Sequence, residues 1–96
     1  MALPQDVVER IQLDFGRQAD EALRMLRQAI AREYIDHPRV VRSIVYLSKG
    51  QITTLSEMIE AAVANYKNVI FWAEYEDRDR RNPRHVRDFN KPLGKN

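Results

Sequence analysis

Residues 36–50, DHPRVVRSIVYLSKG, decide which kind of fold this chain takes. Between Pro38 and Gly50 the apolar residues Val40, Val41, Ile44, Val45 and Leu47 are mostly β-branched, so propensity alone would allow a strand as well as a helix. The polar residues arbitrate. Arg39, Arg42 and Tyr46 gather on one helical face, whereas strand alternation would bury Arg42 or expose Ile44 with it. The spacing predicts a short helix over 38–49. Asp36 or His37 can cap it, because a residue preceding proline is driven out of the α region. Gly50 suits the C-terminal cap.

Upstream, Val8, Ile11, Phe15, Ala19, Ala22, Leu26 and Ile30 recur at three- and four-residue steps, and Leu23, Met25 and Ala29 widen the same stripe. The opposite face carries Arg10, Arg17, Glu21, Arg24 and Arg32. This pattern predicts one long helix over 4–35, with Pro4 in its first turn. Asp6/Arg10 and Asp20/Arg24 stand four apart in the favourable acid-first order. Gly16, mid-helix, costs roughly 1 kcal/mol relative to alanine and marks a close crossing or a bend.

Downstream, Leu55, Met58, Ile59, Ala62, Val63, Tyr66, Val69, Ile70 and Ala73 predict a third helix over 52–76, starting at Ile52 or at the Thr54-Leu55-Ser56-Glu57 capping box. Beyond Ala73 the stripe positions become Asp77 and Arg80, so the helix leaves the core near residue 76. Phe71, Trp72 and Tyr75 fall on the far side of this helix, with Ala61 and Ala64 one or two turns earlier. That aromatic patch requires a cover, whether another part of the chain (the start of the first helix, or Val86, Phe89 and Leu93), a protein partner or a second copy.

Composition sets the outer bounds. Ninety-six residues, 44% hydrophobic and 31% charged with three glycines and four prolines, describe one helical globular domain. The absence of cysteine excludes disulfides, thiolate chemistry and cysteine-based zinc sites. Asp6, Glu9 and Arg10 interrupt the N-terminal segment, which therefore has no signal-peptide core, and no window approaches the apolar run of a membrane span. A cytoplasmic protein is expected.

The charge is unevenly placed. Residues 1–77 hold nine Lys/Arg against twelve Asp/Glu and 78–96 hold seven against two, giving an acidic body of −3 and a basic tail of +5. Residues 78–96, with two prolines and few apolar side chains, read as an extended or disordered arm. It either folds back, laying Phe89 near Phe71, Trp72 and Tyr75, or offers Arg78, Arg80, Arg81, Arg84, Arg87, Lys91 and Lys95 to an anionic partner.

Catalytic signals are weak. Glu33, Asp36 and His37 have a metal-pair spacing, but Pro38 breaks the helix there and capping explains them. Glu74, Glu76, Asp77 and Asp79 are interleaved with Arg78, Arg80 and Arg81, as on a solvated, locally neutralised helix end. His85 has no second ligand nearby in the sequence. No Gly-rich phosphate loop or nucleophile elbow is present. No residue is expected to be catalytic, to ligate a metal or to hold a cofactor, and no enzyme activity is expected.

The expected architecture is all-α: an antiparallel hairpin of two long helices with a short connecting helix, a three-helix bundle. At 1.5 Å per residue the long helices would span about 45 and 36 Å and the short one about 18 Å, so the short helix leaves apolar surface for a homodimer to bury. The expected function is a helical interaction or adaptor module acting through Phe71, Trp72, Tyr75, Arg78, Arg80, Arg81, Arg84, Arg87 and Phe89. A nucleic-acid accessory protein using the arm is the alternative.

Overall fold

The computed structural model describes residues 3–33, 35, 37–76 and 84–93. In chain order these form α1 (Gln5–Phe15), a 3₁₀ turn (Gly16–Gln18), α2 (Ala19–Glu33), α3 (Pro38–Ser48), α4 (Ile52–Glu74), β1 (Tyr75–Glu76) and β2 (Arg84–His85). The chain is mostly helical, and its only ladder among the described residues pairs Tyr75 with His85 and Glu76 with Arg84, antiparallel.

The contested stretch is a helix, and α3 lies at the centre of the molecule. Val40, Val41, Ile44 and Val45 are buried, and so are Arg42, Ser43 and Ser48 from other sides of the helix. A helix covered all round must satisfy its polar groups internally. Ser43 and Ser48 do so by donating their hydroxyls to the carbonyls of Arg39 (2.8 Å) and Ile44 (2.6 Å). The cap falls to His37, whose Nδ1 accepts the Arg39 amide at 3.2 Å.

The single helix expected over 4–35 is two helices. Gly16 takes φ 52°, ψ −115°, a conformation essentially restricted to glycine, and the chain changes direction through the 3₁₀ turn. A Cβ at Gly16 would meet nothing within 4 Å, so the residue serves backbone conformation and not a close crossing. Most of the expected stripe is kept, with Ile11, Phe15, Ala19, Ala22, Leu23, Leu26, Ala29 and Ile30 buried, but Val7 takes the core position expected of Val8, and Val8 and Met25 are only partly buried. The break lets α1 pack on both α2 and α3. It shortens the pieces to about 16 and 22 Å at the helical rise, so the excess length that argued for a second copy is absorbed within the chain.

A second departure lies in α4. Asn65 has φ −162°, ψ 98°, and its side-chain Oδ1 accepts the Lys67 amide at 3.1 Å, a local bond that competes with the helical ladder. Leu55 and Ala62 are buried before this kink, and Val69, Ala73 and Glu74 after it. Val63 and Tyr66, expected in the core stripe, are left nearly half exposed. The helix starts at Ile52 after Gln51, without a side-chain cap, so the capping box is not what begins it.

Gly50 is a different case from Gly16. It has φ +73°, and a Cβ there would run into the Asp14 carbonyl of α1, which α3 and α4 bring against this turn. Gly50→Ala should therefore combine a backbone term of about 1–2 kcal/mol with a steric clash, whereas Gly16→Ala incurs the backbone term alone. Urea midpoints should fall further for Gly50→Ala; equal midpoints would mean that the α1 contact at Gly50 is not formed.

Candidate functional site

Glu74, the last residue of α4, has no exposed surface. A carboxylate cannot be buried without donors, and three parts of the chain supply them. Arg39 of α3 donates Nε to Oε2 at 2.8 Å and Nη2 to Oε1 at 2.7 Å. The Phe89 amide donates to Oε2 at 3.0 Å, and His85 Nε2 lies 2.9 Å from Oε1. The Glu74 carbonyl accepts the amides of Val86 (2.8 Å) and Arg87 (3.1 Å). Burial alone pushes the Glu74 carboxyl up, but the forked guanidinium, the amide and His85 outweigh it, and its pKa is held down from 4.5 to about 2. The same pairing raises Arg39, against the opposing pull of its own partial desolvation.

A second knot closes the other end of the tail. Arg42, its side chain 10% exposed, forks onto Asp6 of α1 through Nε and Nη2 (3.0 and 3.1 Å), while Nη1 donates to the carbonyls of Phe89 and Asn90 (3.2 and 3.3 Å). Asp6 also accepts the Leu93 amide at 2.9 Å. Burial raises the Asp6 carboxyl, but Arg42 and that amide bring it below its ordinary value. The acid-first pair expected from spacing, Asp6 with Arg10, is not the one formed: Arg10 bonds Asp14 at 2.9 Å and Asp6 is committed to α3.

Between the knots the described tail lies against the body. Phe89 is 6% exposed, and its ring packs on Tyr46 of α3 (centroids 5.2 Å apart) instead of joining the Phe71–Trp72–Tyr75 patch. The reason is the Glu74 carboxylate, which draws the Phe89 backbone toward the α3 side. Arg87 donates to the Ala73 carbonyl at 3.2 Å and sits 4.6 Å over the Tyr46 ring, and Lys49 approaches that ring to 4.1 Å.

The aromatic patch therefore stays open. Phe71 and Trp72 are 44% and 48% exposed. Phe71 stacks on Tyr75 (4.9 Å, 17°), and Tyr75 is met by the His85 ring at 4.9 Å. Along the outer face of α4, Glu57, Ala64, Lys67 and Asn68 are exposed as well, while Glu60 borders the groove against α2. Of the residues expected to bind a partner, Phe71, Trp72 and Tyr75 share this face with the adjoining tail strand of Arg84, which is exposed. Phe89 and Arg87 are drawn into the fold, and Arg78, Arg80 and Arg81 lie outside the described residues.

The sequence reading missed Glu74, Arg39, Arg42, Asp6 and His85 as a linked set. In the sequence Glu74 groups with the solvated carboxylates that follow it, and His85 has no partner nearby. The one signal in the sequence is on α3, whose apolar helix carries Arg39 and Arg42 on one face and so calls for carboxylates from elsewhere in the chain. Among the described residues no buried side-chain polar atom lacks a hydrogen bond, no group of three or more His, Asp or Glu could hold a metal ion, and no helix is long and apolar enough to cross a membrane. Comparison with protein-family models, curated proteins and solved structures finds no match to this chain.

Two outcomes follow from the Glu74 knot. A carboxylate held lower in the fold than in the unfolded chain adds stability above its ordinary value, and that contribution is lost as pH falls from about 4.5 toward about 2. Glu74→Gln should cost on the order of 3 kcal/mol at pH 7, and its gap from wild type in urea unfolding should narrow steadily below pH 4.5. A gap constant from pH 7 to pH 3 would contradict the assignment. Removing residues 84–96 should lower stability but leave Trp72 emission almost unchanged, since Phe89 covers Tyr46; a marked red shift would put the tail on the patch.

Proposed function

We propose that this chain is a small helical interaction module whose first partner is a second copy of itself, joined through the outer face of α4. The observation that carries this reading is the half exposure of the adjacent Phe71 and Trp72 on a helix end anchored by the buried Glu74. Large aromatic side chains on a rigid base are the residue type that anchors protein interfaces, since they bury much area at little entropic cost.

The self-partner is argued from the order of residues along the face. Its first half carries Glu57 and the small Ala64, with Glu60 at the edge toward α2, and its second half carries Lys67, Phe71 and Trp72, with Arg84 on the adjoining strand. Two such faces laid antiparallel about a two-fold axis set the aromatics of one copy over the small residues of the other and the cations of one opposite the carboxylates of the other. A two-fold interface needs this self-complementarity. The nucleic-acid reading has less support, because Arg87 is engaged by Ala73 and Tyr46 and the body around the tail is acidic.

Sedimentation of the full chain at micromolar concentration should give a mass near twice 11.3 kDa, and a Phe71→Ser/Trp72→Ser variant with unchanged helical circular dichroism should sediment as a monomer. A wild-type mass of 11.3 kDa independent of concentration would remove the self-association. Salt-dependent binding of the full chain to an oligonucleotide would then favour the nucleic-acid reading.

A further inference from the structure

Between α2 and the first half of α4 runs a groove of about 410 Å³, floored by Met25, Ala29, Ile59 and Val63 and edged by Glu60. Arg32 and Glu33, adjacent at the end of α2, bring one charge of each sign to it, so Glu60 sets the sign of the groove. Glu60 is exposed and pairs with no cation among the described residues. From Val63 onward α4 is exposed at six consecutive positions, 63–68, so that for more than one turn it is open to approach from outside.

A stable dimer covers about 800 Å² on each copy, whereas the half-exposed rings of Phe71 and Trp72 together offer on the order of 200 Å². The remainder has to come from the surface next to them. Among the described residues the large exposed hydrophobic side chains are Leu13, Val63, Tyr66, Phe71, Trp72 and Val86, and four of these six stand on α4. Val63 is a wall of the groove, and Tyr66 continues the apolar surface from it toward Phe71. Leu13 and Val86 lie on other elements.

We infer that the groove is the seat of Phe71 from the second copy, an inference that rests on the self-association proposed above. Before the kink at Asn65, Ile59, Glu60 and Val63 line the groove; after it, Lys67 and Phe71, four apart, share one side of their helix. With two α4 helices antiparallel about a two-fold axis near residue 65, Phe71 of one copy falls opposite Ile59 of the other, and Lys67 falls opposite Val63, one turn from Glu60. The ring then fills the apolar floor, and the Lys67 ammonium meets the unpaired Glu60 carboxylate. Both contacts repeat by symmetry. The charge pair also fixes the direction of the helices, because parallel packing would set Lys67 on Lys67 and Glu60 on Glu60. An aromatic side chain seated in a partner's pocket, with polar contacts around it, is where interface energy concentrates.

The test uses the full chain in sedimentation equilibrium. Glu60→Lys and Lys67→Glu, both at exposed positions, should each weaken self-association tenfold or more with helical circular dichroism unchanged. An equimolar mixture of the two variants should associate as the wild type does, because the mixed pair restores both Lys–Glu contacts. In a 1:1 mixture of uniformly ¹³C-labelled and unlabelled wild-type chain, isotope-filtered NOE spectra should connect the Met25 methyl of one copy with the Phe71 ring of the other. A dimer that ignores either charge reversal, a mixture no tighter than each variant alone, or a dimer without the Met25–Phe71 contact would keep the self-association and overturn the groove as its seat. A wild type that sediments as a monomer would overturn both.

Discussion

The structure depends on the burial of one carboxylate. Glu74 is held where water cannot reach it, and the only stable solution is to surround it with donors. Arg39 comes from α3, and the Phe89 amide and His85 come from the tail, so a single side chain joins the end of one helix, the start of another and a segment that follows both. The Asp6–Arg42 pair repeats the device at the opposite side, adding α1 and the Leu93 amide. Residues 84–93 of the tail are thereby tied to the body by two specific carboxylates, Glu74 and Asp6.

These two knots explain why α3 can be central. A short helix covered on nearly all sides would strand its polar residues, yet Arg39 and Arg42 meet carboxylates and Ser43 and Ser48 turn their hydroxyls onto the helix itself. The β-branched residues that made a strand conceivable are what such a helix needs, since they fill space around it without carrying polar groups inward. The neighbouring elements adjust to it: Gly16 turns α1 onto α3, and Asn65 kinks α4 between its buried Leu55–Ala62 and Val69–Ala73 halves.

What is left at the surface follows from the same arrangement. By drawing Phe89 toward α3, the Glu74 knot leaves Phe71 and Trp72 open on the far side of α4 while holding their helix end firm. By threading the tail between Tyr46 and α1, it also brings Arg10, Arg87 and Lys91 to one cleft. One of these surfaces is apolar and the other is charged.

Helical class and most of the core were determined by the sequence itself, because periodicity alone places Ile11, Leu26, Ile44, Leu55 and Val69 on buried sides whatever their helices pack against. The separation of Phe71 and Trp72 from that core was legible for the same reason. Other features depended on residues that carry no periodic signal. Asn65 and Gly16 are single positions whose backbone departs from the continuous helix that periodicity predicts. Arg39 lies 35 residues from Glu74 and Arg42 lies 36 from Asp6, while His85 and Phe89 reach Glu74 from beyond the end of its helix, and spacing along one helix cannot reveal any of them. Local pattern determines which side of a helix is apolar, and only the assembled fold decides which buried charge meets which donor, because that pairing exists only once distant segments have come within hydrogen-bonding distance.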